Sequence, residues 1–430
     1  MKETVYKKLE EKAYRAQCAN GLRLVVVQKP GFAKSYAFFA TNYGGMDMRF
    51  CLNGEWKDTP AGVAHYLEHK MFDTKEGNAL QELAKLGAEP NAFTSDAITG
   101  YYFESTEHFE ESLRILLSFV SVPYFTAESV AKEQGIIGQE IRMIEDNPDW
   151  QVYSNLLRGL YQNHPARIPV AGSVESIAAI TAETLYDCHH AFYDPANMVL
   201  CVVGDVDPAH ILKIAEEVLP ESRHPEIQRD YGAEESPLVA LPAVETSMEV
   251  SQPLFLCGYK CAPVPAGEDY DRYDLIGNMA CDVLFGESSP LYNRLYAEGL
   301  INGDFGGGYD ILPGISYVVT GGKSLSPRKV HLAIVEEAER LAREGVDEGL
   351  YQQVRKATYG SLLRGLNSFE SIAVGCAESV FHGCDYFRFP EVFETITKAD
   401  LEQFIAEYIV PDRATISIVH PKQKVEVAKH

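Results

Sequence analysis

Apolar residues in this chain follow two patterns, one typical of strands and one typical of helices. Short apolar runs bounded by glycine, proline or asparagine predict strands over 22–28, 35–43 and 198–203, and a strand pair over 91–95 and 100–104. Apolar positions that recur every three to four residues predict helices. These helices cover the stretch around 64–72 and then 77–86, 107–122, 127–145, 151–161, 181–193, 208–219 and 275–285.

The second half of the chain repeats part of the first, which predicts two homologous lobes. A polar, proline-containing stretch over 221–242 predicts a linker, with lobes over 1–220 and 243–430. The alternative is that a helix, a proline and a strand recur by chance. The repeated residues are Thr181, Leu185, Pro195 and Val203, which return as Thr397, Leu401, Pro411 and Val419, each 216 positions later (397 − 181).

One predicted helix carries the pattern H-x-x-E-H at His65, Glu68 and His69. Two histidines four residues apart leave the same face of a helix, with Glu68 about 60° from His65 in projection. This is the inverted form of the H-E-x-x-H zinc motif, in which two imidazoles bind the metal and the glutamate handles a proton. Two histidines at this spacing are also common on surfaces and in cores, so the motif indicates a metal site only where other features of the sequence support one.

The context favours a metal site. At the positions of the repeat that are equivalent to the motif, the second lobe has apolar residues and so lacks the motif. His65, Glu68 and His69 correspond to Cys281, Leu284 and Phe285. Catalytic zinc takes three protein ligands. Glu140 lies among isoleucines on the predicted helix 127–145, and a partly buried carboxylate needs a partner or a metal, which favours Glu140 as third ligand.

Glu133 lies two helical turns before Glu140 on the same face, so it is predicted to orient a ligand or the substrate amine. The alternative for Glu133 is an ordinary exposed helix glutamate. The glycine-rich stretch 303–308 follows no phosphate-binding pattern and is predicted as a loop.

Composition narrows the class of protein. The chain has 430 residues and a net charge of −24, which argues against nucleic acid as the main partner. Nine cysteines without a framework spacing, together with the lack of an apolar signal segment at the N-terminus, predict a reducing, cytoplasmic location. No run reaches the roughly 18 apolar residues of a membrane span, so no membrane association is expected.

Four motifs stand out together, Gly62–Phe72, Asn91–Ser95, Glu133–Pro148 and Val199–Asp205. In these motifs the chain resembles the M16 peptidase family, the pitrilysin and mitochondrial-processing-peptidase type, and within it bacterial chains of the YmfH type. The resemblance implies an α+β fold of two homologous lobes, each an antiparallel-rich sheet with helices packed on it, forming half of a clamshell. It also implies one zinc ion on His65, His69 and Glu140, with Glu68 as general base and Glu133 in support. Asn91, Ala92 and Phe93 fall on the edge strand that holds the substrate backbone.

One departure from the family pattern concerns the second lobe. The resemblance implies an Arg–Tyr pair there, seven residues apart, because active two-lobed members of the family usually carry one, whereas Leu295 and Asn302 occupy those positions here. Arg294 is one position away, and the next tyrosine is Tyr309. The resemblance therefore implies a partner of the same fold that lacks H-x-x-E-H and supplies the pair, or else a homodimer.

The leading hypothesis is a zinc metallopeptidase that cleaves small peptides or unfolded segments as the zinc-bearing subunit of such a pair. A second hypothesis is a maturation protease dedicated to one ribosomally made peptide. A third is a non-catalytic structural subunit, which the missing Arg–Tyr pair favours and the intact first-lobe motif disfavours.

Overall fold

The computed structural model describes residues 1–422, which form two lobes around three sheets. The first lobe contains a seven-stranded sheet in the order β1-β2-β3-β9-β4-β8-β7, and a small sheet in the order β10-β5-β6 lies beside it. The second lobe contains a five-stranded sheet in the order β11-β15-β12-β14-β13. The strands are β1 (Lys2–Tyr6), β2 (Glu11–Gln17), β3 (Arg23–Gln28), β4 (Ser35–Thr41), β5 (Arg49–Leu52), β6 (Glu55–Asp58), β7 (Glu89–Thr94), β8 (Thr99–Ser105), β9 (Met198–Gly204), β10 (Ile227–Arg229), β11 (Ala243–Met248), β12 (Leu254–Cys261), β13 (Gly306–Leu312), β14 (Ile315–Lys323) and β15 (Ala414–Pro421).

Helices cover both faces of the two larger sheets. They are α1 (Val63–Met71), α2 (Ala79–Lys85), α3 (Phe109–Ser121), α4 (Ala127–Glu145), α5 (Pro148–Leu160), α6 (Val174–Ala178), α7 (Ala182–Phe192), α8 (Pro208–Val218), α9 (Tyr270–Phe285), α10 (Pro290–Ala297), α11 (Pro327–Glu344), α12 (Glu348–Gly365), α13 (Phe369–His382), α14 (Phe389–Glu394) and α15 (Lys398–Tyr408). In the described range, residues 1–422, none of these helices is long and apolar enough to cross a membrane.

Both larger sheets are mostly antiparallel, with one parallel neighbour pair each, β3–β9 and β11–β15. Every residue of β4 and of β9 is buried. Strands covered on both faces read as continuous apolar runs rather than as alternating patterns, which is why these two strands are easy to locate in the sequence.

The two lobes exchange one helix each. Helix α5 precedes the second lobe in sequence, yet it packs on β11, β12 and β15 of the second sheet. Helix α5 lies close to Gly258 of β12, where a Cβ atom would be 2.8 Å from the Leu156 side chain and would force that side chain to move. In return, α13 packs on β4 and β9, and its Ile372 and Cys376 share a core with Val25 of the neighbouring strand β3. Each sheet is therefore completed by a helix from the other half.

The predicted repeat is visible in equivalent elements of the two lobes. Thr181 and Thr397 each cap the N-terminus of a helix, α7 and α15, through the side-chain oxygen. A proline-led 3-10 turn follows each helix and leads into a central strand. Helix α1 packs against α7 as α9 packs against α15.

The segment predicted as a linker is bonded to both lobes. Its strand β10 pairs with β5, and Arg229 donates to the fully buried carboxylate of Asp47 in the first lobe. Glu235 accepts hydrogen bonds from backbone N–H groups at the end of α5, His164 among them, and also from Lys260 on β12. This segment therefore holds the lobes together as well as joining them.

The glycine-rich stretch was predicted as a loop, but Gly306, Gly307 and Gly308 begin strand β13, paired with β14. The prediction failed because glycine disfavours strands on average, whereas packing decides here. A Cβ atom at Gly307 would lie 2.0 Å from the carbonyl oxygen of Val319, so this backbone approach requires glycine.

The Glu235–Lys260 pair predicts a measurable contribution to stability. The side chains are 11% and 4% exposed, and the N–O distance is 2.7 Å. Burial alone would raise the pKa of Glu235, but hydrogen bonds from Lys260 and from three backbone N–H groups lower it to about 2. We expect Glu235→Gln to lower the free energy of unfolding by about 3–5 kcal/mol at pH 7, because Lys260 remains buried without its partner.

Urea unfolding of both proteins between pH 7 and about pH 3 checks this expectation. A carboxylate with a lowered pKa stabilises the fold above its ordinary value of 4.5, and that contribution is lost as the pH falls toward about 2. The difference between the two proteins should therefore shrink on acidification. Glu82→Gln, which breaks the exposed pair with Lys85, is the control and should change stability by less than about 1 kcal/mol. Equal effects of the two variants would contradict the prediction.

Candidate metal centre

Helix α1 is oriented by its apolar side. It begins after Gly62, whose φ of 96° lies in the left-handed region and whose Cβ would meet the Ala171 carbonyl oxygen at 2.6 Å. A glycine is therefore required at the start of this helix. Tyr66 and Leu67 are fully buried in the first-lobe core, so the opposite side of α1 presents His65 and His69.

Helix α4 brings the glutamates to the histidines. Thr126 caps its N-terminus, and Ile137 and Ile141 bury one side in the same core as α1. The Tyr66 hydroxyl of α1 donates a hydrogen bond to the Val130 carbonyl of α4, which ties the two helices together. The structure places both Glu133 and Glu140 of α4 beside the two histidines.

The three predicted ligands converge. Nε2 of His65 and Nε2 of His69 each lie 3.5 Å from an oxygen of Glu140. One ligand atom from each of the three residues lies within 4.8 Å of the others. Two ligand atoms bound tetrahedrally at ~2.1 Å from a zinc ion would lie ~3.4 Å apart, which the two nitrogen–oxygen distances of 3.5 Å match, and two imidazoles with one carboxylate are a ligand set that suits zinc.

Glu133 lies behind His69 rather than beside Glu140. Its Oε1 is 3.1 Å from Nδ1 of His69, and its side chain is 16% exposed. A carboxylate at Nδ1 favours the tautomer with the proton on that nitrogen, which leaves Nε2 free to bind a metal. The buried Nδ1 of His65 has no corresponding partner among residues 1–422.

The charges at the site shift two pKa values. Burial acts to lower the pKa of His69, but the hydrogen bond with Glu133 and the charges of Glu68 and Glu140 outweigh it, so the pKa is raised. The hydrogen bond with His65 lowers the pKa of Glu140. Without a metal, the acidic surroundings thus favour a protonated His69. A metal cation would take the place of that positive charge and release the proton.

Glu68 lies on the same helix as the histidines, with 9% of its surface exposed. Its Oε2 accepts a hydrogen bond of 2.8 Å from the hydroxyl of Thr94, the last residue of β7. Sequence reasoning missed Thr94. The signal that could have found it is the alternation along the predicted strand, which places Thr94 on the same face as Ala92.

The predicted substrate-binding residues lie on β7, the edge strand of the large sheet. Ala92 packs toward the core that contains α1. Phe93 points to the opposite face, where its ring stacks on Phe38 at 5.8 Å. Asn91 is exposed. The free edge of β7 thus lies next to the helix that carries the predicted ligands.

The second lobe has no comparable set of residues in the described part of the chain. Cys281, Leu284 and Phe285, which the repeat places under the motif, are buried in the apolar core of α9. Leu295 is fully buried as well. Tyr309 is buried, and its hydroxyl donates to Ser316 at 2.9 Å.

Of the two second-lobe side chains that could replace the Arg–Tyr pair, only one is accessible. Arg294 is exposed on α10, whereas the hydroxyl of Tyr309 is already used within the core. Asn302 accepts a hydrogen bond from the backbone N–H of Asp304 in a turn. The second lobe therefore offers no tyrosine hydroxyl at the predicted positions.

Two family models match the chain. The model described as insulinase (peptidase family M16) matches residues 53–174, and the model described as the peptidase M16 inactive domain matches residues 179–358. The uncharacterized zinc protease YmfH of Bacillus subtilis (strain 168) is 39% identical over 428 residues, which are 98% of this chain and 100% of YmfH.

Solved structures agree with these matches. The crystal structure of an M16-like peptidase from Alicyclobacillus acidocaldarius aligns with a TM-score of 0.93 and 33% identity, covering 96% of this chain and 99% of that one. The structure of a protease from Helicobacter pylori aligns with a TM-score of 0.80 at 19% identity, covering 96% and 100%, which concerns the fold alone.

The convergence of His65, His69 and Glu140 predicts one zinc ion bound per chain. We expect His65→Ala and Glu140→Ala to abolish stoichiometric binding, because two ligands cannot replace three. Glu133→Gln should weaken the affinity by roughly 10- to 100-fold, since it removes the carboxylate behind His69. Elemental analysis after dialysis against a metal buffer measures both effects.

Glu145 provides the control, because it is exposed at the end of the same helix. Glu145→Ala should retain one zinc ion. Full zinc content in Glu140→Ala would show that this residue is not a ligand.

Proposed function

The chain belongs to the M16 peptidase family, and from this premise we propose that it is a zinc-dependent peptidase that hydrolyses peptide bonds in small peptides or unfolded segments. Membership of the family and the fold of two α+β lobes, both expected from the sequence motifs, are confirmed. The observation that carries the proposal is the convergence of His65, His69 and Glu140 beside the buried carboxylate of Glu68.

The donor set suits zinc, which when bound supplies a Lewis acid that polarises a peptide carbonyl and acidifies water. His65, His69 and Glu140 would hold the ion, and Glu133 would keep the His69 ring in the binding tautomer. Glu68 would take a proton from the attacking water and pass it to the leaving amine. The free edge of β7 would hold the substrate in an extended conformation by backbone hydrogen bonds.

Glu68→Gln separates metal binding from proton transfer. We expect the variant to keep its zinc, because Glu68 is not one of the three ligands, and to lose peptide cleavage by at least ~100-fold. Elemental analysis and mass spectrometry of peptide digests measure the two properties. Cleavage by Glu68→Gln at the rate of the unmodified protein would contradict the proposed mechanism.

The second lobe supports a proposal about a partner. With Leu295 buried, Asn302 bonded in a turn and the Tyr309 hydroxyl donating to Ser316, neither family position nor Tyr309 offers an arginine or a free tyrosine hydroxyl to a substrate. We propose that a partner subunit of the same fold, lacking H-x-x-E-H, supplies that pair across a shared chamber. A missing transition-state donor costs roughly 10²–10³ in rate, so the isolated chain should be a poor catalyst.

Mixing tests this second proposal. The chain alone and the chain mixed with such a subunit are compared on the same peptides, and we expect cleavage to rise by at least ~100-fold in the mixture. The same mixture made with Glu68→Gln is the control and should stay inactive. Full activity of the chain alone would show that no partner is needed, with Arg294 as the first residue to substitute.

A further inference from the structure

Glu68 has one hydrogen-bond partner for its side chain within the described residues, the hydroxyl of Thr94. We propose that Thr94 is a positioning residue, which fixes the orientation of the Glu68 carboxylate and its distance from the strand that holds the substrate. This inference rests on the proposed peptidase function, in which Glu68 handles the proton of the reaction.

The geometry gives each oxygen of Glu68 a separate environment. A threonine hydroxyl has a single proton to donate, and Thr94 donates it to Oε2 over 2.8 Å. Oε1 has no hydrogen-bond partner in residues 1–422, so it remains free to accept a proton from water. Because Thr94 stays protonated throughout, it changes neither the stoichiometry nor the path of the proton.

The position of Thr94 on the strand gives it a second effect. Thr94 is the last residue of β7, where it pairs with Thr99 of β8, and the other edge of β7 is open. Side chains alternate along a strand, so Thr94 points toward α1 while the backbone of β7 faces the open edge. A peptide paired with that edge would lie roughly 4.8 Å from β7. Because the Thr94 hydrogen bond ties Glu68 to β7, it would also set the distance between Glu68 and that peptide.

A threonine suits this task better than a serine. Its β-branched side chain has restricted χ1 freedom and fits an extended backbone, so the hydroxyl is held toward Glu68 before substrate arrives. A carboxylate free to rotate would reach the productive geometry only part of the time, which lowers the rate of the chemical step without weakening substrate binding.

Substitution of Thr94 on the zinc-loaded protein, with its partner if the partner is required, tests the inference. Thr94→Val keeps the shape of the side chain and removes the hydroxyl. We expect kcat to fall at least ~10-fold, with KM and zinc content unchanged. Thr94→Ser, which restores the hydroxyl, should return kcat to within ~3-fold of the unmodified protein. If Thr94→Val does not fold, Thr94→Ala takes its place in the experiment.

Thr99→Val is the structural control. Thr99 is the fully buried cross-strand partner of Thr94, but its hydroxyl donates to the Tyr43 carbonyl rather than to Glu68. The Thr99→Val variant should have a lower melting temperature than the unmodified protein, with kcat within ~2-fold at 25 °C, where the protein remains folded. A purely structural contact would not lower kcat at an unchanged KM, nor would serine restore kcat.

Three results would overturn the inference. These are an unchanged kcat in Thr94→Val, a change confined to KM, or a Thr94→Ser variant as slow as Thr94→Val. Failure of the proposed function is distinguishable, because Glu68→Gln would then cleave as fast as the unmodified protein, or that protein would cleave nothing with or without a partner. Either of those results removes the basis of this inference as well.

Discussion

The packing of α1 against α4 fixes the candidate site, because all of the predicted ligands lie on these two helices. The apolar side of α1 is buried against the sheet, so the two histidines have one direction in which to point. The buried hydroxyl of Tyr66 donates to the Val130 backbone of α4, which aligns the helix that carries Glu133 and Glu140. The site is therefore a product of core packing rather than of loop conformation, and its precision follows from the close packing of protein interiors.

Duplication has left the two lobes alike in framework and different in chemistry. Equivalent helices are capped by Thr181 and Thr397 and are followed by similar proline-led turns. The helix of the second lobe that corresponds to α1 contributes buried apolar side chains where α1 contributes histidines. The same fold can thus devote a helix face either to a polar site or to its own core, and this chain does each once.

Much of the framework could be predicted from the sequence, because buried strands and long amphipathic helices have strong periodic patterns. The prediction of helix 127–145 agrees with α4 at both ends, where a capping threonine and an Asn–Pro pair mark the boundaries. Strands β1 and β2 gave no such signal, because they are half exposed and rich in charge. The convergence of His65, His69 and Glu140 was expected from the histidine spacing on one helix and from the isoleucines around Glu140. Thr94 was not, because its contact with Glu68 depends on how two elements pack.

The exchange of α5 and α13 makes the order of folding depend on the whole chain. One face of the first sheet is covered by α13, which ends at His382. While the protein is being synthesised, the lobe that carries the candidate metal site therefore cannot cover both faces of its sheet until most of the second lobe has also left the ribosome. A shortened chain that stops within 221–242 would carry every predicted ligand and still leave an apolar sheet face open to water. Covering of this sheet face is in this sense a late event, delayed until translation is nearly finished, whereas the core that α1 and α4 share is built from buried residues of the first lobe alone.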